Sequence, residues 1–170
     1  MKTSLSLMWV LLLALSINQL KGQDIFSYAR SNDVTELTKF KSEINNKNDQ
    51  GYTPLILAVY NNSDKAAKWL LENGANPDSQ DNNGNTALMG AIFKGYPEMA
   101  QLLLSYKANP NIKNYNEATS LIFAAVFGKS EMIKLLMENG ADKNIKDNRG
   151  KTALEHATLQ GNTEAIALLQ

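Results

Sequence analysis

One histidine, no cysteine and scattered carboxylates are the whole inventory from which this 170-residue chain could assemble reactive chemistry. His156 has the ring of a general base or a metal ligand. Its neighbour Glu155 points elsewhere on a helix, and no thiol or second imidazole completes a nucleophile or metal site. His156 therefore reads as a structural, partly exposed histidine. Asp81, Asp142 and Asp147 head or precede turns, where side-chain oxygens cap backbone amides, and the ligand sequence of a calcium loop is missing. Glycines occur singly, never in the G-x-x-x-x-G-K pattern of a phosphate loop. From these residues no catalytic, cofactor or metal site is expected, and the chain is read as no enzyme.

Charge narrows the partners. Lys and Arg together number 17, as do Asp and Glu. The basic residues are scattered, whereas phosphate binding needs them dense on one surface, so no nucleic acid is expected. At the N-terminus Lys2 precedes an apolar run from Leu5 to Leu15 broken only by Ser6, followed by polar residues, as in a secretory signal peptide. Eleven helical residues rise only about 16 Å, short of a hydrocarbon core of about 30 Å. Residues 1–22 are accordingly read as a cleaved leader, with no stable membrane insertion afterwards. Ser16 and Gly22 are the competing cleavage sites, and Gly22 better matches the start of the folded part. Lys2 and Lys21 fall in the leader and no acid does, which leaves 15 basic against 17 acidic residues, a net of about −2. Export, periplasmic or secreted, is the expectation. Without cysteine, the exported chain must hold together by packing alone.

The elements that would position any binding residue are set by a period. Thr53, Thr86, Thr119 and Thr152 stand 33 residues apart, each followed by leucine (Leu55, Leu88, Leu121, Leu154) and alanine (Ala58, Ala91, Ala124, Ala157) at constant offsets. The units run 48–80, 81–113, 114–146 and 147–170, behind an irregular N-terminal cap at about 24–47 that carries Ile25, Phe26, Ala29, Leu37 and Phe40. Each unit opens on a turn, such as Asp81-Asn82-Asn83-Gly84, rich in residues that tolerate positive φ. The threonine then caps a short helix, with Pro54 at the first helical position of the first unit. Asn62, Gly95, Gly128 and Gly161 end it. A second helix carries Ala66, Trp69 and Leu70, then Met99, Leu102 and Leu103, then Met132, Leu135 and Leu136, and finally Ala165, Leu168 and Leu169, at i, i+3, i+4 spacing. Its last copy stops at Gln170, where fraying is expected.

A 33-residue unit of turn plus two helices, opening Gly51-Tyr52-Thr53-Pro54-Leu55, resembles the ankyrin repeat, whose signature is T-P-L-H-x-A. The resemblance covers about residues 24–170. The signature histidine is replaced by Ile56, Met89, Ile122 and Glu155, and the proline by Ala87, Ser120 and Ala153 after the first unit. The implied fold is all-α, an ankyrin-repeat solenoid with a β-turn and two antiparallel helices per repeat. Domain 23–170 is then a stack in which neighbours complete each other's core.

The resemblance implies another protein as partner, bound by a concave face of turn tips and first helices, with the chain itself a monomer. Carried onto this sequence, the binding set is Tyr52, Tyr60, Asn83, Asn85, Phe93, Lys94, Tyr115, Asn116, Phe127, Arg149 and Lys151, with Ala118, Val126, Asn148, Leu159 and Gln160 at further contact positions. Tyr60, Phe93 and Phe127 are expected to form one aromatic column, which would either anchor a partner or pack against adjacent turns. Structural support of an envelope or stress-response enzyme complex, and antagonism of a toxin, are the alternative roles. Two positions depart from the period: Lys107 where Gly74 and Gly140 follow their helices, and Glu117 where other units have a turn glycine. A drift to another turn type and a specialised contact point are the two readings of that segment.

Overall fold

A computed structural model describes residues 24–170, so the expected leader at 1–22 lies outside the described residues. The first unit comprises α1 (Ile25–Arg30), α2 (Val34–Leu37) and a 3-10 segment (Thr38–Glu43). Four helix pairs follow: α3 (Pro54–Tyr60) with α4 (Asp64–Glu72), α5 (Ala87–Lys94) with α6 (Pro97–Ser105), α7 (Ser120–Val126) with α8 (Ser130–Glu138), and α9 (Ala153–Leu159) with α10 (Thr163–Leu169). Each helix packs on its own partner, and the first helices of successive units stack in the order α1, α3, α5, α7, α9. This is the expected helical solenoid.

The 33-residue period acts through three local devices. The Asn or Asp that opens each turn accepts two backbone amides on one oxygen. Asn48 holds Gln50 and Tyr52, Asp81 holds Asn83 and Asn85, Asn114 holds Asn116 and Ala118, and Asp147 holds Arg149 and Lys151, all at 2.8–3.1 Å. Each threonine then accepts the amide three residues on, which caps a donor that the helix itself leaves unpaired. Between units, the turns form a ladder in which the amides of Asn82, Tyr115 and Asn148 donate to the carbonyls of Gln50, Asn83 and Asn116 at 3.0–3.2 Å. Gly51 and Gly84 make that spacing possible. A Cβ on Gly84 would lie 2.8 Å from the Tyr115 amide nitrogen, inside any real contact.

The core runs continuously through the stack, with Leu55, Leu88 and Leu121 and the alanine column all inaccessible to within about 1%. Ile25, Ala29, Leu37 and Ile44 extend it into the first unit, whose Phe26 and Phe40 are only partly covered, as suits an end cap. On the second helices the buried face is rotated from the expected one. Trp69, Leu102 and Leu135 are half-buried and Leu168 is exposed, whereas Ala67, Ala100 and Ile133 are fully buried. The i, i+3, i+4 pattern finds the stripe but not its centre, because the second helix touches both its own first helix and the next unit.

The turn-drift reading of residues 107–117 is overturned. Lys107 (φ 66°) and Glu117 (φ 56°) take the same left-handed conformation as the glycines of the other units. Each bears a strain of about 1–2 kcal/mol that a glycine would not. At the C-terminal end, the Lys143 ammonium donates to the carbonyls of Leu169 and Gln170, and Leu169 is buried, which opposes the expected fraying.

Candidate functional site

The face made by turn tips and first helices carries an apolar edge that the core does not use. Phe93 and Phe127 are 48% and 43% exposed, and their rings meet edge-to-face with centroids 5.2 Å apart. Phe123, one turn before Phe127 on α7, lies 5.9 Å from it at a tilt. Leu159, at the end of α9, is 67% exposed. Charge depletion at the centre with aromatic residues around it is the composition of a protein interface.

Beside this edge, α7, α9 and the turns before them enclose an open groove of about 490 Å³. Ala118, Ile122 and Phe123 belong to its lining, together with Val126, Phe127 and Leu159, while Asn116, Asn148, Arg149 and Lys151 bring polar groups from the turn tips. One column changes size along the stack. Tyr52 of the first full unit is succeeded at 33-residue intervals by Asn85, Ala118 and Lys151, so a small side chain lines the groove at the position where the first unit carries a tyrosine.

Electrostatics in the groove turn on Asp147 and His156. One Asp147 oxygen holds the turn amides, and the other lies 2.7 Å from His156 Nε2. Burial alone pushes the Asp147 carboxyl up, but the amide of Lys151, the His156 ring and the amide of Arg149 outweigh it and hold it below the usual carboxylate range. The histidine thus locks the fourth turn to α9, with two turn amides on one Asp147 oxygen and the His156 ring on the other. Among the described residues no group of three or more His, Cys, Asp or Glu side chains is placed to hold a metal. No helix among them is long and apolar enough to cross a membrane.

A family model describing ankyrin repeats in three copies matches residues 25–114, just over half of the chain, and one describing ankyrin repeats in many copies matches residues 103–157. The chain belongs to the ankyrin-repeat family. Ankyrin repeats generally mediate protein–protein interaction and are typically non-catalytic. None of the curated proteins compared with the chain matches it.

Of the ankyrin contact positions expected from sequence, the groove gathers Asn116, Phe127, Arg149 and Lys151. Phe93 joins through its contact with Phe127. The expected aromatic column is not one column, since Phe127 follows Lys94 by 33 residues, and it is Val126 that follows Phe93. Tyr60 departs from the other two rings. It is half-buried, packs on Tyr52 at 5.8 Å, and covers Gly90, where a Cβ would come within 3.3 Å of the ring. Burial first, then the Asp81 charge and Tyr52, push its hydroxyl pKa up to about 12. Lys94 stands over the Tyr60 ring, its ammonium 5.9 Å from the centroid, a cation–π distance.

The remaining positions belong to the turns of the ankyrin stack. Tyr52 is half-buried, and the Asn85 side chain is occupied accepting from Asn114 at 2.9 Å. Asn83 is exposed but its carbonyl carries the Tyr115 amide, while the Tyr115 ring, 73% exposed, lies above Gly84. Ala118, expected as a contact, is only 7% accessible and serves as floor. Sequence reasoning missed Ile122, Phe123, Asp147 and His156 as members of the groove. The column Leu57, Gly90, Phe123, His156 held the signal: on one face of the first helix it changes from aliphatic to empty to aromatic to polar.

Proposed function

We propose that the chain is an exported, non-catalytic interaction module that binds a partner protein through the face of turn tips and first helices. The observation that carries this reading is the exposed Phe93–Phe127 pair continuing into the groove below Leu159. Apolar side chains placed this way leave contacts unmade in the free protein, and aromatic anchors dominate interfaces of this kind. Export rests on the charged, apolar and polar order of residues 1–22.

The test couples capture to mass. Intact mass of the protein recovered outside the cytoplasm is expected to correspond to a start at Gln23 or at Ile17. From that same fraction, immobilised wild type should retain a partner that a Phe93→Ala, Phe127→Ala double variant does not, with both proteins folded. A full-length mass would overturn leader cleavage, and recovery of the protein from the cytoplasm alone would overturn export. Equal retention by both forms would overturn the binding face, and turnover of a substrate with no partner present would overturn the non-catalytic reading.

A further inference from the structure

The chemistry of the groove narrows its occupant, on the reading that this face binds protein. Two cations, Arg149 and Lys151, contribute to its lining, and neither forms an ion pair among the described residues. Glu117, paired with Lys113 at 3.3 Å, and Glu155, which closes the cap on Thr152 at 2.7 Å, lie outside the lining, in which Asp147 is the one carboxylate. With His156 neutral, two cations against that carboxylate leave the lining net positive. Lys94, near the aromatic edge on the neighbouring repeat, also lacks a carboxylate partner among these residues.

Hydrogen bonding sets the form of the occupant. The groove, about 490 Å³ and open to solvent, has room for one or two large side chains, and an extended segment has free backbone groups to meet the turn-tip amides, whereas a helix has already used its own. The apolar surface of Phe123, Val126, Phe127 and Leu159 suits a large aliphatic or aromatic residue. Exposed amides of Asn116, Asn148 and Gln160 offer hydrogen bonds to its backbone.

We infer that the groove between the third and fourth full repeats receives an extended acidic segment of the partner protein. One large apolar side chain of that segment enters beside Phe127 and Leu159, and flanking carboxylates meet Arg149 and Lys151. Specificity for acidic flanks follows from the two unpaired cations, since a basic flank would bring like charges together.

The test is selection from a random peptide library displayed on phage, with the purified chain immobilised. Peptides enriched on wild type should combine a large apolar residue with net negative charge, and their affinity should fall as salt rises. Arg149→Gln with Lys151→Gln should weaken them about tenfold or more. Arg149→Glu with Lys151→Glu should select basic flanks instead. Thermal midpoints of the glutamine variant within about 2 °C of wild type show that the fold is kept. Enrichment of neutral or basic flanks on wild type, or acidic peptides indifferent to the glutamine variant, overturns the proposal. If enriched peptides are lost with Lys94→Gln and Tyr115→Ala but not with the groove variants, the groove assignment fails while the protein-binding face stands. If no sequence is enriched, both fail.

Discussion

Replacing Phe127 by alanine separates an anchor for a partner from a piece of the core. Complete burial of a phenylalanine stabilises a fold by about 1.5–3 kcal/mol, and 43% of Phe127 remains exposed, so burial accounts for about 1–1.5 kcal/mol. The edge-to-face contact with Phe93 and the tilted one with Phe123 add about 0.5 kcal/mol at such an exposed site. Phe127→Ala should therefore cost about 1.5–2 kcal/mol in urea unfolding, with an unchanged slope. A fully buried phenylalanine would cost about 3–5 kcal/mol. If the ring is an interface anchor, the same substitution should weaken partner binding by about 2 kcal/mol or more, roughly 30-fold in Kd. Binding is to be read by titration calorimetry at a temperature where both forms are folded. A stability loss above 3 kcal/mol with Kd unchanged would refute the reasoning, since the ring would then be core and nothing more.

The turn stack, the strained residues and the acid response each give a further prediction. Gly150→Ala meets nothing within 4 Å and should cost only the left-handed strain of about 1–2 kcal/mol, whereas Gly84→Ala adds a collision with the Tyr115 backbone and should cost at least about 1 kcal/mol more; equal losses by chemical denaturation would dismiss the close stack. Lys107→Gly relieves a φ of 66° at an exposed site and should raise stability by about 0.5–1 kcal/mol once the extra freedom of glycine in the unfolded chain is counted. Asn45 and Asn111 donate to the carbonyls of Gly74 and Gly140, but Asp78, the equivalent residue facing Lys107, has no amide to donate, so Asp78→Asn should add about 0.5–1 kcal/mol in the same assay. The Asp147 carboxyl is held below its unfolded value, so its contribution is present above about pH 4 and is lost as pH falls through the folded value. Asp147→Asn, which retains the turn as Asn48 and Asn114 do, should flatten the acid limb of the stability–pH curve, and an unaltered limb would count against the His156–Asp147 lock.

Much of this was legible in the residue spacing. The threonine caps, the turn-opening Asn or Asp and the stacked first helices all follow from the 33-residue period, because each depends on neighbours close in sequence or one period away. Lys107 and Glu117 looked like a break in the rule, yet the backbone keeps its left-handed turn and accepts the strain, since the helices on either side are already fixed by packing. The site was only partly readable. Phe127 and Arg149 could be placed on the face that carries the groove, but the groove also takes in Ile122, Phe123 and the His156–Asp147 contact across nine residues, which no local pattern encodes. Tyr60 shared the spacing of an exposed aromatic and was drawn down by an absent side chain at Gly90, 30 residues away.

Hydrogen exchange of the chain with its captured partner tests the binding face most directly. Protection gained at residues 116–127 and 147–160, with the second helices α4, α6, α8 and α10 unchanged, is the predicted footprint. Protection confined to those second helices, with the groove exchanging as in the free protein, would contradict it.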